Sequence, residues 1–324
     1  MTKEYIVLAL LMTGMLFSGC QKEDSVTSSD NGTEQPSPTP TPSPSPTPGP
    51  EPTPQPTTSG FDSDGASYAL FSVSENRQVH FSRGNMQYNA VSDTWRFAEN
   101  QYDYIGDANY NISETYDGWI DLFGWGTSGW NGGAVAYQPW SSSQVISDYN
   151  PGGSAYNDLT GECAEADWAW HNPISNGGNR NHLWRTMTTA EWQYLLGQRA
   201  DAENKYGFAI IDGQYRGLVI LPDEWTLPEG LTFSPKGSSY NRNTYSLDEW
   251  QRMQTAGAIF LPAAGNRWGT SGDAMGGKGY YWLVSRTIQT AFIYCIAFTG
   301  NIVYPDYYSA RYYGYSVRPV TDNN

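Results

Sequence analysis

Apolar and polar positions alternate in short blocks along most of the chain, and two segments break that rhythm with helical spacing. In the first, Trp192, Leu195 and Leu196 fall on one face behind Thr188-Thr189-Ala190-Glu191. That is a capping-box pattern with Thr188 as N-cap, and it predicts Arg199 in the last turn. Ser246-Leu247-Asp248-Glu249 repeats the device, with Trp250 and Met253 as the apolar face and Gly257 as the C′ stop. Strand-like runs surround both helices: Ala69–Val73, Val79–Phe81, Trp95–Phe97, Gly217–Leu221, Ala258–Leu261, Tyr280–Val284, Ile293–Phe298 and Tyr315–Val317. Two helices among many short strands and long loops predict an α+β domain.

A further apolar run stands apart near the N-terminus. Ile6 to Leu16 is 11 residues long, contains Thr13 and Gly14, and follows the lone basic residue Lys3. A bilayer-spanning helix needs about 20 apolar residues, so residues 1–19 are expected to be a signal peptide. Residues 36–56 have a different character: proline occupies every second position and accounts for 11 of the 20 prolines. Without amide donors and with φ fixed, such a segment forms neither helix nor ladder. It is expected to be a polyproline II spacer on the order of 65 Å long. The expected organisation is a leader over 1–19, a tether and stalk over 20–59, and one domain over 60–324, long enough to hold its own core.

Charge narrows the partners. The chain carries 18 basic and 33 acidic residues, a net charge of −15. An acidic surface disfavours nucleic acid and anionic lipid, both of which need clustered Lys and Arg. Thirteen Trp, 24 Tyr and 34 Gly suggest a core filled by rings between long loops. Cys163 and Cys295 leave a disulfide open, because two cysteines do not reveal their own geometry.

Several segments resemble known families. Phe17-Ser18-Gly19-Cys20 is similar to the bacterial lipobox, with Phe17 where Leu is usual. The resemblance implies an acylated Cys20 as mature N-terminus and lipid as the only membrane link. Gln21-Lys22-Glu23-Asp24 resembles the acidic export signal of Bacteroidota lipoproteins, which implies an outer-membrane location facing the exterior. Trp184 to Trp192, Leu261-Pro262-Ala263-Ala264-Gly265, Gly279-Tyr280-Tyr281-Trp282 and Ser316-Val317-Arg318-Pro319-Val320 resemble the C-type-lectin-like fold in its formylglycine-generating-enzyme-like branch. Phe81 to Tyr88, Asp103-Tyr104-Ile105-Gly106 and Leu122 to Gly126 belong to a narrower likeness, to Bacteroidales surface lipoproteins. This fold carries many functions, so the likeness speaks to architecture.

Candidate chemistry is sparse. Gly272 to Gly279 has glycine and lysine spacing like a phosphate loop but ends in Gly279 where Ser or Thr would hold Mg²⁺. His80, His171 and His182 lack metal spacing; His80 is expected on an exposed strand face, the others as hydrogen-bonding loop residues. No Gly-x-Ser-x-Gly elbow occurs, and no carboxylate pair is singled out. The enzymatic relatives use a close cysteine pair near the C-terminus; here Cys295 stands alone. The Glu-Pro-Asn triplet of calcium-dependent sugar binding is missing, and Asp62-Ser63-Asp64-Gly65 is the start of a calcium loop without its remaining ligands. The expectation is a non-catalytic protein without cofactor or metal.

One segment is compositionally biased. From Leu283 to Val320 there is no Lys, Glu, Met or Trp, and one Gln, although these types make up 40 of the 223 residues from 60 to 282. About seven would follow from that baseline. Tyr304, Tyr307, Tyr308, Tyr312, Tyr313 and Tyr315 among small polar residues resemble an antibody paratope. The segment also resembles the variable region of diversity-generating retroelement targets, where randomised adenines exclude these five residue types. That likeness implies Leu283, Arg286, Ile288, Thr290, Ile293 and Asn301 as further ligand-facing positions, with Trp282, Gly300, Gly314 and Arg318 as scaffold. A protein or glycan at the cell surface would be the ligand. Strand propensity alone also favours Tyr, Ile and Thr over Glu and Lys. A fixed-specificity adhesin, or a structural, fimbria-associated component with fixed protein partners, therefore stands as the alternative.

Overall fold

In a computed structural model, residues 60–132 and 134–323 are described. Cys20, the leader and the proline-rich segment lie outside them. The chain begins with β1 (Phe71–Ser74), β2 (Arg77–Phe81), β3 (Met86–Asn89), β4 (Thr94–Phe97) and β5 (Trp119–Ile120). Loops and short 3-10 turns lead to α1 (Trp168–His171) and α2 (Thr189–Gly197), then β6 (Tyr206–Ile211) and β7 (Tyr215–Ile220). β8 (Asn243–Tyr245), α3 (Leu247–Thr255), β9 (Ile259–Pro262), β10 (Asn266–Trp268) and β11 (Ser271–Asp273) follow. The C-terminal part contains β12 (Gly279–Arg286), β13 (Phe292–Thr299), β14 (Ile302–Ala310), β15 (Tyr313–Gly314) and β16 (Val320–Asp322). The fold is mixed α+β, with small, mostly antiparallel sheets and few helices.

Both expected capping boxes form. Thr188 Oγ1 accepts from the Glu191 amide while Glu191 accepts from the Thr188 amide, and Ser246 with Glu249 does the same for α3. Gly257 follows α3 at φ +100°, a backbone state that glycine adopts without strain. Arg199 lies two residues beyond α2 and not in its last turn. Its buried guanidinium donates to Asp223 (3.1 Å) and to the Leu221 carbonyl (2.8 Å). The single-turn α1, capped by Asp167, was not anticipated, because four residues show no periodicity. Tyr315–Val317, expected as a strand, makes only isolated bridges. Its backbone bonds are divided between Phe123 at Tyr315, β12 at Ser316 and the Met86 amide of β3 at Val317.

Two sheets have both faces buried. In the four-stranded sheet β8-β6-β7-β9, Phe208, Ile210, Leu218 and Ile220 point into one apolar cluster with α2. Ala209, Ile211, Val219 and Phe260 point into another with Trp250 and Met253 of α3. The strict alternation of strand side chains therefore serves two cores. The sheet β12-β13-β14 is central in the same way: Tyr281, Leu283, Ile296 and Phe298 enter the α2 cluster, whereas Trp282, Val284, Ile293 and Cys295 enter a cluster built from β3, β4 and the long loops.

Arginine and indole donors hold those loops. Arg267 donates to the carbonyls of Gly269 (2.6 Å), Leu122 and Ser141 (both 3.2 Å). Arg318 donates to Gln101 Oε1 (2.8 Å) and to the Phe260 carbonyl (3.2 Å). Among the described residues neither has a carboxylate partner, and burial pushes both down to about 10, so they remain charged at neutral pH. Trp125 and Trp282 donate to the carbonyls of Leu283 (2.9 Å) and Phe123 (2.6 Å). Buried loop carbonyls need such partners where no ladder supplies them. Among the described residues, no helix is long and apolar enough to cross a membrane.

Candidate functional site

The C-terminal tyrosines converge on the outer strand of the central sheet. Among the described residues β14 pairs only with β13, and between Cys295↔Tyr307 and Ala297↔Tyr304 it carries two residues, Pro305 and Asp306, opposite Ile296. This β-bulge brings Tyr304 and Tyr307 to the same face, three positions apart, where strict alternation would separate them. Tyr308 lies across the strand beside Phe292, with ring centroids 5.7 Å apart. Tyr304, Tyr307 and Tyr308 are 43%, 42% and 57% exposed.

These rings continue into the protein as a chain of contacts. Tyr304 and Tyr307 are 6.1 Å apart, Tyr307 and Tyr280 are 6.4 Å apart, and Tyr280 stacks on Tyr315 at 4.8 Å and 14°. Tyr315 stacks on Tyr313 (5.9 Å), which meets Tyr312 (5.0 Å). Burial, then the neighbouring Tyr307 and Cys295, push the Tyr280 phenol up to about 12. The strip is a row of rings, exposed at β14 and anchored in the core at Tyr315.

Three expected ligand-facing residues do not face outward. Leu283 and Ile293 are fully buried, on opposite faces of the central sheet. Tyr315 is 4% exposed, and its hydroxyl shares a hydrogen bond with Ser309 Oγ (2.6 Å). The cause is that β12 and β13 are covered on both sides, so neither face is free for contact. The register also breaks between Trp282 and Arg286, where the Val284 amide donates to Met187 instead of to β13.

The other candidates lie at the sheet's ends. Ile288 is 92% exposed in the β12–β13 turn, and Arg286 stands half-buried above the Tyr156 ring. Asn301, exposed in the β13–β14 turn, accepts from Thr299 Oγ1 (2.5 Å). Thr290 and Tyr312 border a cleft of about 500 Å³ against residues 144–155. Tyr313 borders a smaller cleft of about 210 Å³ with Trp268 and Asp273. Trp282, Gly314 and Arg318 are buried as scaffold; a Cβ on Gly314 would lie 2.8 Å from Arg267 Nε, and one on Gly300 2.8 Å from the Tyr240 ring. Tyr280, Phe292 and Trp268 were missed. Tyr280 could have been found from strand alternation, since it sits opposite Ala297 in register.

The other polar groups singled out in the sequence have structural partners. Glu165 accepts from His171 Nδ1 (2.7 Å) and His182 Nε2 (3.0 Å). Burial acts to raise Glu165, but these two hydrogen bonds outweigh it and hold it below the usual carboxylate range. His80 is half-buried, with Nδ1 2.6 Å from the Ser67 carbonyl. Asp62 accepts from the Asp64 and Ala66 amides, and Asp64 pairs with Arg180. A cleft of about 330 Å³ near α2 contains Asp167 and Glu191. Asp167 caps α1 and accepts twice from Thr186, while Glu191 is paired with Arg185. Cys163 and Cys295 are buried free thiols. Among the described residues, no group of three or more His, Cys, Asp or Glu side chains could hold a metal ion.

Comparison with protein-family models, curated proteins and solved structures finds no match to the chain. The class defined by the coordinates is a mixed α+β domain with an aromatic, edge-mounted surface strip.

Proposed function

We propose that the protein is a non-catalytic, ligand-binding lipoprotein displayed on the outer face of the outer membrane, with its site on the C-terminal aromatic strip. The carrying observation is the contiguity of Tyr304, Tyr307 and Tyr308 on one outer strand, all substantially exposed. Monomeric proteins rarely leave such rings clustered in water without a partner. Tyrosine offers rigid contact area with a hydroxyl at its tip, so it contributes affinity at low entropic cost. The Cys20 motif and the proline-rich stalk support display, since they would tether the domain and hold it clear of the surface. A C-type-lectin-like fold is the architecture we assign, supported by the ordered signposts around Trp184, Leu261, Trp282 and Arg318.

Diversification of the strip is part of the proposal. The absence of Lys, Glu, Met and Trp from residues 283–320 supports it. The rival is a structural or adhesive, fimbria-associated surface lipoprotein with fixed protein partners. Pro305 and the bulge count against one form of it, assembly by strand addition at β14, because both interrupt the ladder an added strand would need.

A photo-crosslinking amino acid at position 307 or 308, on intact cells that make the protein, tests the binding site. A discrete adduct is expected there and not at Val91, exposed in the β3–β4 turn. Equal labelling at all three positions, or at none, would refute the site. Deep sequencing of codons 283–320 within one population tests diversification: substitutions confined to adenine-derived positions support it, and a uniform segment moves the assignment to fixed specificity.

A further inference from the structure

The cleft at the end of the strip is assembled from two distant parts of the chain. Gln144, Val145, Ser147 and Asn150 form one wall; Thr290, in the β12–β13 turn, and Tyr312 form the other. Its volume of about 500 Å³ lies within the range of small-ligand sites, about 300–1,000 Å³.

The wall from 144 to 155 is fixed to the C-terminal segment by Arg311, next in sequence to Tyr312. Its guanidinium donates to Asn150 Oδ1 and the Ala155 carbonyl (both 2.7 Å), and to the Tyr149 carbonyl (3.2 Å), with the Trp125 ring 5.0 Å away. The cleft is therefore held open by a buried cation whose bonds go to the wall. Asp148, the nearest acid on that wall in sequence, accepts from Ser143 Oγ (2.5 Å).

Among the described residues, none that lines the cleft is an acid or a base, in a chain with 33 acidic and 18 basic residues. A charged ligand entering would lose its hydration without gaining a counter-charge. What the lining does offer is neutral. The amides of Gln144 and Asn150 and the hydroxyls of Ser147 and Thr290 can donate and accept, and Val145 and the Tyr312 ring supply apolar faces. A ligand with C–H faces and a rim of hydroxyls matches both.

We propose that this cleft binds a neutral saccharide unit. The proposal rests on the C-terminal segment being the ligand surface, because Thr290 and Tyr312 belong to it.

The test uses the full chain on an immobilised panel of neutral oligosaccharides and their sialylated or uronate-bearing counterparts. Retention of one or more neutral glycans is expected, with weaker retention of the acidic counterparts. Ala291→Arg, which puts a long cation into the cleft wall, should weaken that binding at least tenfold. Gln144→Ala with Ser147→Ala, both exposed positions, should weaken it several-fold without change in melting temperature. Val91→Arg should leave it unchanged. Absence of any neutral glycan binding, preference for the acidic series, or full binding by both cleft variants would overturn the proposal. If crosslinking at 307 or 308 still yields an adduct in that case, the strip stands and the saccharide assignment alone falls; if it yields none, both fall.

Discussion

Tyr315 and Tyr308 are seven residues apart in the same biased segment, yet the structure gives them opposite work, and their truncation should separate the two roles. Tyr315 is 4% exposed, stacked on Tyr280 at 4.8 Å and packed against the tilted Trp282 ring at 4.4 Å, with its hydroxyl 2.6 Å from Ser309. A buried aromatic covers about 150–250 Å². At about 25 cal/mol per Å², burial contributes roughly 4–6 kcal/mol against an extended chain, an upper bound. Tyr315→Ala should therefore destabilise by about 4 kcal/mol, as aromatic-to-alanine changes in cores do. Tyr315→Phe keeps the ring and strands only the Ser309 hydroxyl, at a cost of about 1–2 kcal/mol. Tyr308, 57% exposed, already meets water over more than half its surface, and Tyr308→Ala should cost about 1 kcal/mol. Urea titration followed by tryptophan fluorescence gives the differences directly. A Tyr315→Ala variant within about 1 kcal/mol of Tyr308→Ala would show that the tyrosine chain is a surface feature throughout and not anchored in the core.

Asp121 is buried among Asn109 and the Ile105 amide, and desolvation pushes its carboxyl from 3.8 up to about 6. Between those values the folded protein holds a proton that the unfolded chain has released, so its contribution to stability falls as pH rises. Asp121→Asn does not titrate; its stability relative to the parent should rise by about 2 kcal/mol from pH 4 to 6.5, and a flat difference would contradict the burial. Thr188→Ala removes the α2 cap and should cost about 1 kcal/mol by denaturant titration. Cys20→Ser should move the protein from the membrane fraction to the soluble fraction of cells; unchanged sedimentation would rule out acylation as the anchor.

Legibility in the sequence followed locality. Both capping boxes were readable because their partners lie three residues apart and the chemistry is confined to one turn. β7 and β13 were also visible as apolar runs, since residues 218–220 and nearly all of 293–298 are buried, and β2 as an alternation in which Val79 and Phe81 are buried on either side of the half-buried His80. β14 was not, because Ile302-Val303-Tyr304-Pro305-Asp306 contains a proline and an acid that argue against a strand. Only the bulge and the outer position make them tolerable. The strip was legible as a composition but not as a set of contacts. Leu283, Ile293 and Tyr315 share the composition of their exposed neighbours, and only tertiary packing covers them: the α2 cluster buries Leu283, and the core built with the long loops buries Ile293 and Tyr315.

Burial accounts for part of the compositional bias of the last forty residues, and what it leaves is informative. Lys or Glu at Leu283, Val284, Cys295 or Ile296 would be an unpaired charge inside one of two cores, so their absence there needs no function. The same reasoning fails at Ile288, Asn301, Ile302, Tyr304, Tyr307 and Tyr308, which meet water. Elsewhere on this domain exposed positions do use such charges, as at Glu75, Glu99, Glu203, Glu229 and Lys236. Strand propensity favours tyrosine and isoleucine on β14, but an outer strand is also where charge normally guards against unwanted pairing. β14 carries one acid, Asp306, tied to Gln193 at 3.2 Å, and relies on the Pro305 bulge for the rest of its protection. An edge kept aromatic in this way accepts an aggregation risk, and contact with the ligand we propose would offset it.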